Sequence, residues 1–268
     1  MVITNSFFEY AGIDSKPYHL KLLNLNTSSY DSCVGNIEPT SFYSKKEAKR
    51  YSIDLDYTNS PIEFDIDIIS PSPIPPDQVR KIEKWLFNQR KYAKLYFDKD
   101  EDTCETVNGV TRRTYLNCRF KNPSKIEYGN MYGWSCTLEC DSLMAWQDPT
   151  NSSFALSGST SGSTIIDVEV DTDYNDFVYP YVTITTGSSG GDVTISNHSD
   201  DTARLTSFSN LSANITFNMN GGINYVSGGN YEKFVDRNFI RLLDGTNSIS
   251  IMGNVVEIAF KWQNMRYL

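Results

Sequence analysis

Histidine is nearly missing from this chain: His19 and His198 are the only two in 268 residues. General acid–base chemistry and imidazole metal centres draw on that side chain most often, so both have little to work with. His198 stands in "SNHSDD", which imitates a Ser-His-Asp set. Triad members converge through the fold and not along the chain, and no G-x-S-x-G elbow accompanies it. An exposed loop histidine is the simpler reading. No apolar run approaches the ~18 residues of a membrane span. The opening "MVITNSFFEYAG" lacks the basic and long apolar regions of a signal peptide, which predicts a chain made and kept in a cytoplasm.

An even cysteine count is also missing. The five cysteines are Cys33, Cys104, Cys118, Cys136 and Cys140, so at least one has no partner within the chain. In a reducing compartment all five are expected to be free and mostly buried. Cys136 and Cys140 share a strand face about 13 Å apart, too far to hold one metal ion. Glycine-rich phosphate loops are absent; "GGDV" and "NGGI" lead into no helix and read as hairpin turns. Two acidic runs imitate a calcium loop. Asp98, Asp100 and Asp102 begin one, but Thr103 stands where glycine is needed and Gly109 where a bidentate Glu is needed. Asp171, Asp173 and Asn175 begin another that fails at the same two places. No pair of carboxylates stands out for glycoside cleavage. The sequence therefore assigns no catalytic residue, no metal ligand and no cofactor.

The charge balance removes two more classes. A net charge of −9 argues against stable nucleic-acid binding and against an anionic membrane surface. The basic stripe Arg80, Lys81, Lys84, Arg90, Lys91 and Lys94 is either a partner surface or a solvated helix face.

What is present is alternation, in two halves. With 39% hydrophobic and 21% charged residues the chain is a folded protein of one large or two ordinary domains. Residues 1–148 carry 18 Lys/Arg against 21 Asp/Glu and every cysteine. Residues 149–268 carry 6 against 12, with 11 of the 16 glycines. The break predicts an N-terminal domain over 1–148, a flexible Ser/Gly linker over 149–163 and a C-terminal domain over 164–268. A cut in that linker should release two independently folded parts.

In the first half "IEFDIDII" alternates as a half-buried strand, with Ile62, Phe64, Ile66 and Ile68 on one face and Glu63, Asp65 and Asp67 on the other. After "PSPIPP" comes the one convincing helix, "DQVRKIEKWLFNQR". Its Val79, Ile82, Trp85 and Leu86 fall at helical spacing, and Asp77 serves as N-cap or first-turn charge. Trp85 and Leu86 should be buried while Lys81 and Lys84 stay wet. "KLYFD" and "RTYLNCRF" read as strands around a polar loop with a hairpin signal at Asn108-Gly109, and "GWSCTLEC" is a further strand. In the second half "YVTITT", "DVTIS", "NITFNM", "FIRLL", "SISIM" and "VVEIAFKW" read as short strands. Val256, Ile258, Phe260 and Trp262 are expected on one face, as are Ile215, Phe217 and Met219. The fold class is mainly β: a β-rich N-terminal domain with one short helix, then a β-sandwich or jelly roll.

An aromatic content of 13% with so little chemistry points to surfaces that bind proteins or sugars. Phe177, Tyr179 and Tyr181 alternate onto one face and form the candidate carbohydrate platform, unless two of the three are core.

The order of features resembles the siphovirus tail component family, the distal tail proteins of long-tailed bacteriophages. The points of contact run from "SFFEYAGIDS" through "IEKWLF", "AKLYFD" and "WSCTLECDSLMAW" to "DFVYPYVTI". They close on "LLDGTNSISIMGNVVEIAFKWQNMRYL", the most specific piece. The resemblance implies a non-enzymatic hub at the virion tail tip, assembled in the bacterial host cytoplasm. It implies a homohexameric ring made by the N-terminal domains and stacked on the tail tube protein. It also implies C-terminal galectin-like domains that carry receptor-binding proteins, and a tail-associated baseplate or lysin protein beneath. A carbohydrate-binding protein using the C-terminal sandwich is the alternative from a different class. The polar second faces of the N-terminal strands, with edges that a symmetry mate can pair, place ring formation in residues 1–148.

Overall fold

The computed structural model describes residues 6–23, 38–44, 49–56, 62–97, 104–107, 110–128, 131–158, 162–200 and 204–267. The chain divides into two compact units, Met1–Gln147 with Arg266–Leu268, and Asp148–Met265. Both are built mainly from antiparallel strands. No helix of the described residues is long and apolar enough to cross a membrane.

The first unit contains β1 (Phe8–Tyr10), β2 (Ile13–Asp14), β3 (Lys21–Leu23), β4 (Glu38–Ser44), β5 (Lys49–Asp56) and β6 (Glu63–Ser70). Helix α1 (Pro76–Phe87) follows, then β7 (Ala93–Phe97), β8 (Cys104–Val107), β9 (Val110–Tyr128), β10 (Met131–Cys140) and β11 (Ala145–Gln147). The main sheet runs β2-β1-β7-β9-β10-β6-β3, with β8 and β11 also paired to β9, while β4 and β5 form a separate ribbon. Period-two alternation decides its faces. Ile66 and Ile68 of β6, Leu116, Cys118 and Phe120 of β9, and Trp134, Cys136, Leu138 and Cys140 of β10 turn into one core. Helix α1 closes that core with Ile82, Trp85 and Leu86, and Lys81 and Lys84 stay exposed. Pro75 stands at the N-cap, so Asp77 supplies the first-turn charge and not the cap.

Two backbone features shape this sheet. Ser135 pairs with Ser124 and Thr137 with Lys121, so Asn122 and Pro123 together face Cys136. Asn122 is left-handed at φ 52, and Pro123 has no N–H to give a ladder; a bulge accommodates both. Gly133 lies so close to β6 that a Cβ there would stand 1.9 Å from the Ile68 carbonyl oxygen.

The second unit contains β12 (Thr150–Ala155), β13 (Ser163–Val170), β14 (Tyr181–Thr186), β15 (Gly191–Asn197), β16 (Leu205–Leu211) and β17 (Thr216–Asn220). It is completed by β18 (Tyr225–Val226), β19 (Gly245–Gly253) and β20 (Val255–Trp262). They form two sheets, β12-β20-β14-β17-β18 and β13-β19-β15-β16. Side chains such as Val182, Ile184, Ile195, Phe208, Phe217, Ile251, Ile258 and Phe260 fill one core. This is the sandwich that the alternation predicts.

Three expectations are corrected. Residues 149–163 are not all linker: Thr150–Ala155 pairs along its whole length with Trp262–Glu257 as an edge strand. Its outward positions are polar because they face water, which makes its composition look like a spacer. "FIRLL" is not a strand. Phe239, Ile240 and Leu242 are buried, but side chains take the backbone groups around them. Thr206 Oγ1 donates to the Asn238 carbonyl, Asn197 Nδ2 to that of Arg241, and the Asn247 amide serves both the N–H and the carbonyl of Leu243. Val256 does not share a face with Ile258. The β14–β20 register shifts between Thr185 and Thr186, so Val255 turns into the core and Val256 outward. Ile215 packs partly buried beside Phe217 and Met219, as its phase predicts.

Candidate interaction surfaces

The second face of the N-terminal sheet is built from the residues that alternate with its core. Across neighbouring strands it presents Glu63, Asp65 and Asp67 of β6, Thr137 and Glu139 of β10, Arg119 and Lys121 of β9, and Lys94 and Tyr96 of β7. The register sets Glu139 opposite Arg119. Glu139 is only 8% exposed, and three groups, two from β9 and one from the segment before β7, close on its carboxylate. Lys121 Nζ pairs with Oε2, while Tyr92 Oη and Arg119 Nη2 donate to Oε1, the latter at 2.7 Å. The Lys121 and Tyr92 bonds, then Arg119, hold the Glu139 pKa down to about 2. The same bond raises the Tyr92 phenol. Farther along, Arg113 reaches Glu9 at 3.0 Å with its guanidinium 4.0 Å from the Tyr96 ring centroid, and Lys94 lies 4.0 Å from that of Tyr115. This face is a fixed mosaic of opposite charges, not a diffuse solvated one.

On the sandwich, Val178, Pro180 and Val182 are buried and Phe177, Tyr179 and Tyr181 are not. The alternation therefore sets these three on one side, and none of them is core. Their environments differ. Phe177 lies under the guanidinium of Arg241, 3.3 Å from its ring centroid, and Arg241 grips Asp200. Tyr179 is 39% exposed and rests over Gly221, where a Cβ would stand 2.5 Å from its ring. Tyr181 stands in the sheet between Lys261 of β20 and Asn220 of β17.

The other candidates scatter. His19 is exposed in the left-handed position after a short 3-10 turn. His198 is exposed, while neighbouring Asp200 is committed to Arg241 and Ser199 Oγ donates to the Thr246 carbonyl. Cys118, Cys136 and Cys140 are buried thiols outside any disulfide, in the core that α1 closes; burial pushes Cys136 up to about 12 and Cys118 well above the ordinary thiol range. Asp98, Asp100, Asp102, Asn108, Gly109 and Cys33 lie outside the described residues. The Asp171–Asn175 run turns on Thr172, whose Oγ1 bonds the Met265 backbone and accepts from the Tyr174 N–H. Arg80, Lys81, Lys84, Arg90 and Lys91 are exposed, whereas Lys94 belongs to the sheet face and not to the helix.

Comparison with known proteins adds a family. Residues 3–142 match the family described as phage tail protein N-terminal domain, and residues 144–262 that described as phage tail C-terminal domain. No curated protein matches the chain. Among solved structures, the SPP1 Dit protein, described as a paradigm of hub adsorption apparatus in phages infecting Gram-positive bacteria, superposes with a TM-score of 0.65. That alignment covers 97% of this chain and 99% of that one at 12% identity. A chain of the phage P2 baseplate in its activated, calcium-bound conformation gives 0.51 over 97% and 98% at 8% identity. At such identities the likeness is one of fold. With family matches across both units, the chain belongs to the phage tail protein family that these two domains define, and it has the fold of the Dit proteins.

Proposed function

We propose that this chain is the hub at the distal end of a phage tail, a hexameric ring that joins the tail tube to baseplate and receptor-binding proteins. The observation that carries the reading is the end-to-end likeness of fold to SPP1 Dit, covering 97% of the chain within a phage tail family. The role is structural and not catalytic, and it is exercised in the virion after assembly in the host cytoplasm.

The ring contact is assigned to the first unit. β3 pairs with β6 only from Asp67 to Ile69, so among the described residues Glu63–Ile66 has no strand on that side. An open, alternating edge of this kind is safest when a neighbouring copy continues the sheet, and head-to-tail pairing closes into rings. The ordered charge mosaic around Glu139 supplies a patterned surface for the tail tube or the adjoining subunit. The sandwich completes its own two sheets and is left to carry adhesion proteins.

Light scattering on a sizing column tests the proposal. The expected species is a hexamer, alone or after addition of the tail tube protein. A chain that stays monomeric in both conditions at high concentration overturns it.

A further inference from the structure

The outer face of the five-stranded sheet has a composition that the hub role does not require. One cross-strand row runs Asn151, Lys261, Tyr181, Asn220, Tyr225, each residue opposite the next. The neighbouring row is Ser153, Ala259, Thr183 and Asn218, and the one beyond is Ala155, Glu257, Thr185 and Thr216. Amides and hydroxyls dominate the centre of this face; the aliphatic side chains in these three rows are two alanines, and Val256 turns outward beyond them at the bulge. A protein-binding patch would carry an apolar core, and a nucleic-acid surface would carry several cations. This face has neither. It does have aromatic rings beside uncharged donors and acceptors, the combination that fits a sugar, whose C–H faces stack and whose hydroxyls hydrogen-bond.

The groups are also held in place. Thr183 Oγ1 donates to Asn218 Oδ1 at 2.8 Å, and the Gly222 N–H donates to Asn220 Oδ1 at 2.8 Å. Both amides are thereby oriented, and their Nδ2 donors have no partner among the described residues. Tyr225 is 41% exposed and stands two strands from Tyr181, roughly 10 Å away at ordinary strand spacing. That separation lets alternate rings of one extended chain meet Tyr181 and Tyr225. Gly221 provides the bed on which Tyr179 lies at 39% exposure, with its hydroxyl bonded to Arg241. Phe177 does not join them, because Arg241 covers one face of its ring.

We propose that this sheet face is a polysaccharide-binding surface, with Tyr179, Tyr181 and Tyr225 stacking on pyranose rings and Thr183, Asn218 and Asn220 bonding their hydroxyls. The inference does not rest on ring assembly.

Affinity electrophoresis of the full chain in native gels containing dextran, galactomannan or hydroxyethyl cellulose tests it. At least one polymer is expected to retard the wild type, and the double variant Tyr181→Ala/Tyr225→Ala should bind at least about tenfold more weakly, ~1.4 kcal/mol. Tyr181→Phe should keep most of the binding, and Tyr231→Ala, an exposed tyrosine outside these rows, should keep all of it. If Tyr181→Ala misfolds, Tyr225→Ala on the edge strand carries the comparison, with circular dichroism as the folding check. Retardation by none of the three polymers overturns the proposal, as does a folded double variant that binds like the wild type. The oligomer mass is read separately, so loss of sugar binding and failure of the hub reading are distinguishable.

Discussion

Arg241 and Asp200 form a two-point fork in the sandwich: Nε meets Oδ2 at 2.7 Å and Nη2 meets Oδ1 at 2.9 Å. The Asp200 side chain is 2% exposed and that of Arg241 12%, so neither charge has much water to fall back on. Asp200 raises the Arg241 pKa further, and the Phe177 ring lies against the guanidinium. A buried charge is tolerable only while its partner remains.

Removing both partners should therefore cost less than the two single losses added together. Asp200→Ala and Arg241→Ala are each expected to destabilise the protein by about 3–5 kcal/mol, and the double variant by clearly less than their sum. Arg241→Lys cannot reproduce the planar fork and should fall between wild type and Ala. Urea unfolding of the wild type and these four variants gives the values.

Trp85 is the keystone of the helix–sheet contact. It is 7% exposed, stacks on Phe8 with centroids 5.8 Å apart, and its Nε1–H donates to the Tyr10 carbonyl at 2.8 Å. Trp85→Ala should cost about 3–5 kcal/mol. Trp85→Phe keeps the stacked ring and loses the donor, about 1 kcal/mol beyond the packing change. Chemical denaturation followed by far-ultraviolet circular dichroism separates the two.

Glu139 makes stability depend on acid pH. Its folded pKa of about 2 lies below the ordinary Glu value of roughly 4.3, so its contribution is fully present above the ordinary value. It is lost as pH falls from there through the folded value. Glu139→Gln should flatten that part of the profile, and Tyr92→Phe should move the loss to higher pH. Urea midpoints measured from pH 7 to pH 2.5 would show no difference between wild type and Glu139→Gln if the clamp were unimportant.

The strand β12 defines where the C-terminal unit can be cut. A fragment beginning at Asp148 should fold and melt above one beginning at Thr164. The shorter piece exposes the edge of β20 and strips Phe154 from Phe260, whose rings meet edge-on at 6.4 Å. Equal melting temperatures would show that the edge strand contributes nothing.

Ring formation should follow the first unit. Residues 1–147 expressed alone are expected to oligomerise, and residues 148–268 to remain monomeric. The reverse outcome in light scattering would move the ring contact to the sandwich and with it the surface offered to the tail tube.

Local pattern made much of this fold readable. β6, α1, β14, β15 and β17 follow from period two or period 3.6 in contiguous residues, and Val178, Pro180 and Val182 point inward as that period requires. Tertiary context decided the rest. Thr150–Ala155 is polar because only one side of an edge strand meets the core, and "FIRLL" is apolar because it is buried, not because it is a strand. The Val255–Val256 inversion needs the β14 register, which no run of eight residues contains. The same holds for the surfaces. Phe177, Tyr179 and Tyr181 were legible, but Tyr225 and Asn220 join them only through the order β14-β17-β18. Arg241, which covers Phe177, comes from a distant segment. Nor does anything local to Glu139 announce Tyr92, Arg119 and Lys121.

β9 runs from Val110 to Tyr128 with one bulge at Asn122 and Pro123, and it is paired with β7, β8 and β11 as well as with β10. Antiparallel hydrogen bonds lie perpendicular to the strand, so tension along β9 loads many of them together, whereas tension across it would open them one by one. The first unit is thus mechanically anisotropic: stiff along this strand and weak across it. Single-molecule pulling on residues 119 and 132, which shears β9 against β10, should need markedly more force than pulling on the facing residues 119 and 139, which unzips the pair.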